Sequence, residues 1–151
     1  QRNVLVVPEG TSIGWKNILF ATDGSKYSEA AANKVIDFAK SYGSALNVIS
    51  VVDVTEEFIA RAPGALDDLV KKAKSIVEDV KKRADSEGIK AEGMVKEGDA
   101  YKSIVAIAKQ QKADAIIMGS HGRTGLTRLL MGSVTERVIG HAPCPILVAK
   151  N

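Results

Sequence analysis

The period of the apolar positions changes along the chain, and the changes mark its elements. Residues 17–22 (NILFAT) are a short apolar run ending at Asp23-Gly24-Ser25, which predicts a strand and a turn. From 25 to 42 the spacing becomes helical, with Ala31, Val35, Phe38, Ala39 and Tyr42 on one face and Gly43 as the stop. Residues 45–54 (ALNVISVVDV) are rich in β-branched side chains and predict a second strand. After the Pro63-Gly64 break, Leu66, Leu69, Val70, Ala73, Ile76, Val77, Val80 and Ala84 form a long helical stripe that Gly88 ends. Residues 89–96 are a more polar strand, expected at a sheet edge. Gly98-Asp99 opens a helix to about Gln111, with Asp99 as N-cap. Residues 115–118 (AIIM) are wholly apolar, as in a strand buried on both faces. A glycine-rich stretch, a short helix over 134–139 and a closing strand over 145–150 complete the chain.

Strict alternation of strand and helix predicts an α/β fold: a doubly wound, five-stranded parallel sheet with helices on both faces. Its ligand site should lie beyond the carboxyl ends of the strands, where the winding reverses. Residues 15–151 would form this domain. Residues 1–14 fall outside the pattern, and Asn3 to Val7 (NVLVV) are open to three readings: an extra edge segment, a partner-binding arm, or disorder.

Composition narrows the class. The 151 residues are 45% apolar and 26% charged, ordinary for one globular domain. No apolar run reaches the roughly 20 residues of a membrane span, and no secretory pattern opens the chain, so no membrane role is expected. One cysteine, Cys144, permits no intrachain disulfide; the expectation is a cytoplasmic protein. A net charge of +3 is mild, and Lys71, Lys72, Lys74, Lys81 and Lys82 read as a solvated helix face. With 5% aromatics there is no stacking platform, so nucleic acid is not an expected partner.

The chemistry concentrates in residues 118–133, MGSHGRTGLTRLLMGS, between a buried strand and a helix. Backbone N–H groups can gather round an anion in that setting. Gly119 and Gly122 permit positive φ and close backbone approach, Gly132 and Ser133 stand at the mouth of the next helix, and Arg123 and Arg128 add cationic charge. Two plainer readings stay open. Glycines after a strand make turns, and Ser133-Val134-Thr135-Glu136 is a capping box in which Ser133 only holds a helix end. Neither GxxxxGK[ST] nor GxGxxG is present.

Gly119-x-x-Gly122, nine residues, then Gly132-Ser133 resembles the G-2x-G-9x-G-[S/T] signature of ATP-binding universal stress proteins. ILFATDGS, SVVD, MGSHGRTG and APCPILVAK are also similar to that family, and the likeness runs from Trp15 to Lys150. The resemblance implies a sheet of strand order 3-2-1-4-5 and a nucleotide site. Ala21, Thr22 and Asp23 would lie at the end of the first strand, with Asp23 near the ribose or a metal-bound water. Val51 would meet adenine through its backbone, and Met118 would pack on the base. Gly119, His121, Gly122, Arg123, Gly132, Ser133 and Val134 would surround the phosphates. The implied cofactors are ATP, or AMP, and Mg²⁺ held mainly by phosphate oxygens. The implied partner is a second copy, paired through Ile146, Leu147, Val148 and Ala149 of the last strand.

Several of these residues carry a second reading. Asp23 suits an Asx turn as well as a ligand contact. His121 is a phosphate contact or a solvent-facing loop residue. His141 reads as a helix C-terminal residue, Cys144 as a small structural side chain, and Trp15 as packing at the start of the sheet. Ser120, Thr124 and Thr127 are hydroxyls within reach of phosphate transfer. Two histidines and one cysteine at these spacings make no zinc site. The resulting expectation is a nucleotide-dependent regulatory module with slow or no hydrolysis. Its rivals are an adenylating or slow ATPase enzyme, and a dimeric interaction protein whose site is vestigial or takes AMP or a cyclic nucleotide.

Overall fold

A computed structural model describes residues 3–120 and 131–150. The elements are β1 (Val4–Val6), β2 (Asn17–Ala21), α1 (Lys26–Tyr42), β3 (Ala45–Asp53), α2 (Glu56–Arg61), α3 (Pro63–Ser86), β4 (Ala91–Gly98), α4 (Ala100–Gln110), β5 (Ala115–Gly119), α5 (Ser133–His141) and β6 (Ile146–Ala149). The sheet has six strands in the order β1-β6-β5-β2-β3-β4. Strands β2 to β6 are mutually parallel, in the doubly wound order expected of them.

The sixth strand corrects the five-strand expectation. β1 pairs antiparallel with β6, Val4 opposite Val148, Leu5 opposite Leu147 and Val6 opposite Ile146, so the sheet is mixed. Asn3 Oδ1 accepts from Lys150 N–H at 3.2 Å and ends the pairing. Of the three readings open for residues 3–7, this is the edge segment. Its consequence is that β6 does not present a bare edge within the single chain. The physical reason is that alternate residues Val4 and Val6 pack on the core under α4 and α5, which a polar leader could not do.

Two apolar layers flank the sheet. One joins Ile18, Phe20, Leu46 and Val48 to α1 and α3. The other joins Leu19, Ile49, Ile116, Ile146 and Val148 to α4 and α5. Alternate residues of β2 thus serve opposite layers, which is why its interior positions are all apolar and buried. β4 carries Glu92, Lys96 and Glu97 and lies at the other edge, where charge is tolerated.

Helix boundaries follow local chemistry. Ser25 caps α1, its side chain accepting from Ser28 N–H at 3.3 Å. Asp99 caps α4 by the same contact to Lys102 N–H, at 3.2 Å. Thr55 caps α2, a helix with no buried residue and therefore no apolar stripe to predict it. The α3 stripe is split. Ala73, Val77, Val80 and Ala84 are buried; Leu66, Leu69 and Val70, on the first turns of α3, are half-buried, as is Ile76, which lies against the turn at Gly24. Trp15 packs edge-on to Phe38 at 5.0 Å and stacks on Tyr42 at 6.1 Å, closing the amino-terminal end of the sheet. No helix among the described residues is long and apolar enough to cross a membrane.

Cys144 is 4% exposed, beside β6. Burial, then the nearby Asp114 carboxylate, push its thiol up to about 11. The thiolate is the reactive form, so Ellman's reagent at pH 8 should label the folded chain negligibly and the urea-unfolded chain fully. Fast stoichiometric labelling of the folded chain would contradict this burial.

Candidate functional site: a crevice where the winding reverses

β2 is central, paired with β3 on one side and β5 on the other, and the chain leaves these neighbours in opposite directions. Beyond their carboxyl ends lies a cavity of about 450 Å³. Ala21, Thr22, Asp23, Val51, Met118, Gly119 and Val134 line it. Gly132 and Ser133 stand at the start of α5 beside it. His121, Gly122 and Arg123 lie outside the described residues, as do Thr124, Thr127 and Arg128. The lining also includes Ser28, Ser50, Asp53, Leu69, Ala100 and Thr135, which sequence reasoning did not single out. For Asp53 a signal existed, since strand alternation places it on the same face as Val51.

The floor is held by turns. Thr22 is buried; its N–H donates to Ile49 C=O at 3.0 Å and its Oγ1 accepts from Gly24 N–H at 3.3 Å. Asp23 Oδ1 accepts from Ser25 N–H at 2.9 Å and from Ser28 O–H at 3.2 Å. Asp23 thus makes the Asx turn and also lines the cavity. Gly24 has φ +77, the left-handed region that favours glycine; a Cβ there would stand 2.7 Å from Ile76 Cδ1, the tip of a side chain that can turn aside.

The α5 end is pinned to β5. Gly132 N–H donates to Ser120 C=O at 2.7 Å, and Thr135 O–H donates to Gly119 C=O at 3.0 Å. Ser120 N–H in turn donates to Ala149 C=O at 3.2 Å, tying the root of the glycine-rich segment to β6. The capping-box reading is corrected here. Gly132, not Ser133, is the N-cap, Ser133 is the first helical residue, and no side-chain cap bond forms. Glycine has no side chain to accept from the first turn, so the amides of α5 keep their donors and their positive dipole end beside the cavity wall formed by Val134 and Thr135.

Gly119 is corrected as well. Its φ is not positive. A Cβ at Gly119 would meet Tyr27 C at 2.7 Å, and Ser28 N and Tyr27 O at 2.9 Å. The glycine is required because the first turn of α1 crosses the end of β5 at backbone contact.

The cavity is electrostatically divided. Its described lining holds two carboxylates, Asp23 and Asp53, and no Lys or Arg. Burial, then the Asp99 carboxylate, raise the Asp53 carboxyl above its ordinary range, against the opposing pull of Ala100 N–H and Arg137. A negatively charged group is therefore disfavoured on this side and favoured at the α5 amino terminus, next to the segment carrying Arg123 and Arg128. Such a crevice suits a ligand with an apolar or hydrogen-bond-donating body and an anionic tail. No cluster of three or more potential metal ligands occurs among the described residues. His141 ends α5 as expected, its Nδ1 at 2.8 Å from Arg137 O and its ring 5.1 Å from that of Tyr101, away from the cavity lining.

The universal stress protein family model matches residues 14–150, and the chain belongs to that family. It is 41% identical over 141 residues to the universal stress protein MJ0531 of Methanocaldococcus jannaschii, covering 91% of this chain and 83% of that one. The solved structure of MJ0577, described as a hypothetical protein given a structure-based biochemical assignment, superposes with TM-score 0.84 at 36% identity, covering 91% of this chain and 96% of that one. Two more distant structures share the fold. One is a universal stress protein in complex with cAMP, at TM-score 0.67 and 21% identity over 90% of this chain and 97% of that one. The other is an Arabidopsis thaliana family protein with AMP bound, at TM-score 0.68 and 17% identity over 90% of this chain and 92% of that one.

Two variants follow from the geometry. Gly119→Ala should lower unfolding free energy by about 1–3 kcal/mol in urea titrations without any ligand, because backbone atoms cannot yield as a side chain can. An unchanged midpoint would remove the backbone contact as the reason for this glycine. For Asp53, the raised folded pKa means that its contribution favours folding below the unfolded value and is lost as pH rises through the folded one. The melting temperature of Asp53→Asn relative to the parent should therefore fall as pH drops from about 7 to about 4. A difference that grows on acidification would reverse the sign argued for this carboxyl.

Proposed function

We propose that the chain binds an adenine nucleotide in this crevice, ATP with Mg²⁺ first and AMP as the smaller alternative, and acts as a nucleotide-dependent regulatory module of the stress response. The observation that carries the reading is the α5 amino terminus, left without a side-chain cap and pinned by Ser120 and Gly119 against the cavity. In this reading Met118 and the backbone of Val51 receive the base, and Asp23 faces the ribose. Ser133 and Val134 meet the phosphates through backbone N–H groups, with Gly132 holding the helix start by its bond to Ser120 C=O, joined by Gly119, His121, Gly122 and Arg123. Mg²⁺ is held mainly by phosphate oxygens and offsets charge next to two carboxylates. Two proteins of the same fold have cAMP or AMP bound, which supports a nucleotide as the class of ligand.

Turnover is slow or absent in this reading. Asp23 Oδ1 is engaged by the Asx turn, and no histidine, lysine or arginine stands in the described lining to orient an attacking water or hold its charge. The reading also takes a second copy of the chain as partner along β6, and places the protein in the cytoplasm.

Calorimetric titration of nucleotide-free protein with ATP and Mg²⁺, in parallel with AMP, tests the site. Asp23→Asn keeps an acceptor for Ser25 N–H and should weaken binding about tenfold or more with little change in the unliganded melting temperature. Gly132→Val should abolish most of the heat. Absence of both heat and thermal stabilisation with every adenine nucleotide would overturn the proposal and favour an interaction protein.

A further inference from the structure

β1 and β6 carry nearly the same sequence. β1 reads Val4-Leu5-Val6 and the first three residues of β6 read Ile146-Leu147-Val148. Their pairing is antiparallel and centred on Leu5 opposite Leu147. A second copy of β6, brought against this edge by a two-fold axis, would also run antiparallel, because a two-fold reverses strand direction. Centred on Leu147 opposite Leu147 of the second copy, it would set Ile146 of that copy opposite Val148 here, and its Val148 opposite Ile146. Val4, Leu5 and Val6 stand in those three places. Two of the three side chains are the same, and the third exchanges isoleucine for valine.

We propose that β1 is an intramolecular mimic of a second copy's β6, and that it controls self-association by occupying the β6 edge. The proposal deepens the reading of a second copy as partner and rests on it. Charge does not oppose the exchange: neither residues 3–7 nor Ile146–Ala149 carry any, so identical β6 strands meet without like-charge repulsion. An edge this apolar and unprotected by Lys, Pro or a bulge is a template for another strand. The cover is also lightly held. It is three residues long, Val4 and Val6 are half-buried, and Leu5 is 38% exposed. Its connection to β2 turns at Gly10 (φ +80), with Thr11 N–H and O–H donating to Pro8 C=O at 3.1 and 2.7 Å, and leaves Val7 and Ile13 at 43% and 57% exposure. Such a tether keeps β1 at an effective concentration on the order of millimolar, so the cover prevails over a free second copy at micromolar protein.

Sedimentation equilibrium on the full chain between about 1 and 100 µM, with and without release of β1, tests this. Val4→Asp/Val6→Asp releases the strand by placing carboxylates against the core. Val6→Pro releases it independently: Pro145 and Ala149 C=O face β5, so Ile146 and Val148 turn their backbone groups to β1, and the Val6 N–H belongs to that ladder. Both should raise the dimer association constant by about 100-fold, within the range that removal of an intramolecular competitor gives. A synthetic peptide of residues 2–8, added in excess, should return the released variants to monomers. Equal association constants for the parent and both folded variants, with dimers present, would overturn the mimic while sparing the second-copy reading. Monomers throughout the range in all three proteins would overturn both.

Discussion

A strand hydrogen-bonded on both sides, whose neighbours are reached by crossovers of one hand, forces its two connections onto opposite faces. β2 occupies that position, and most of the structure answers to it. Its alternate residues must satisfy two different apolar layers, which leaves no room for a polar residue between Ile18 and Ala21. Its end must part from β5, because α1 packs on one face of the sheet and α5 on the other. The cavity is the space this divergence leaves. Its location is a topological necessity, and only its lining is a matter of chemistry.

Much of this was legible in the order of residues. Period-two and period-3.6 runs are produced by the same burial that builds the sheet and helices, so the five parallel strands, α1, α3 and α4 could be read from apolar spacing. Seven of the residues named for the ligand line the cavity. β1 and α2 were not legible in the same way. Three residues of strand carry too little pattern to tell an edge from a loose arm, and α2 buries nothing, so it leaves no apolar signature.

The glycines show where motif reasoning and geometry part. Gly119, Gly122 and Gly132 look alike in the sequence, as spacers that let backbone approach an anion. In the fold, Gly119 makes room for α1, and Gly132 is an N-cap with no side chain to bond the first turn of α5. One keeps the scaffold closed and the other keeps the helix end available. Ser133-x-x-Glu136 has the letters of a capping box one position too late for the place where the helix starts.

Gly24 and Gly93 carry a mechanical consequence for α3. The first allows Ile76 to press on the turn after β2, and the second allows Val77 to press on β4. As these side chains stand, the space between helix and sheet at both points admits a hydrogen atom and nothing larger. These two approaches fix where α3 sits, with Ile76 against the turn and Val77 against β4, while the turns before Ala73 hold no buried residue. Leu69 stands on those turns and lines the cavity, so a ligand there meets the least buried part of the helix.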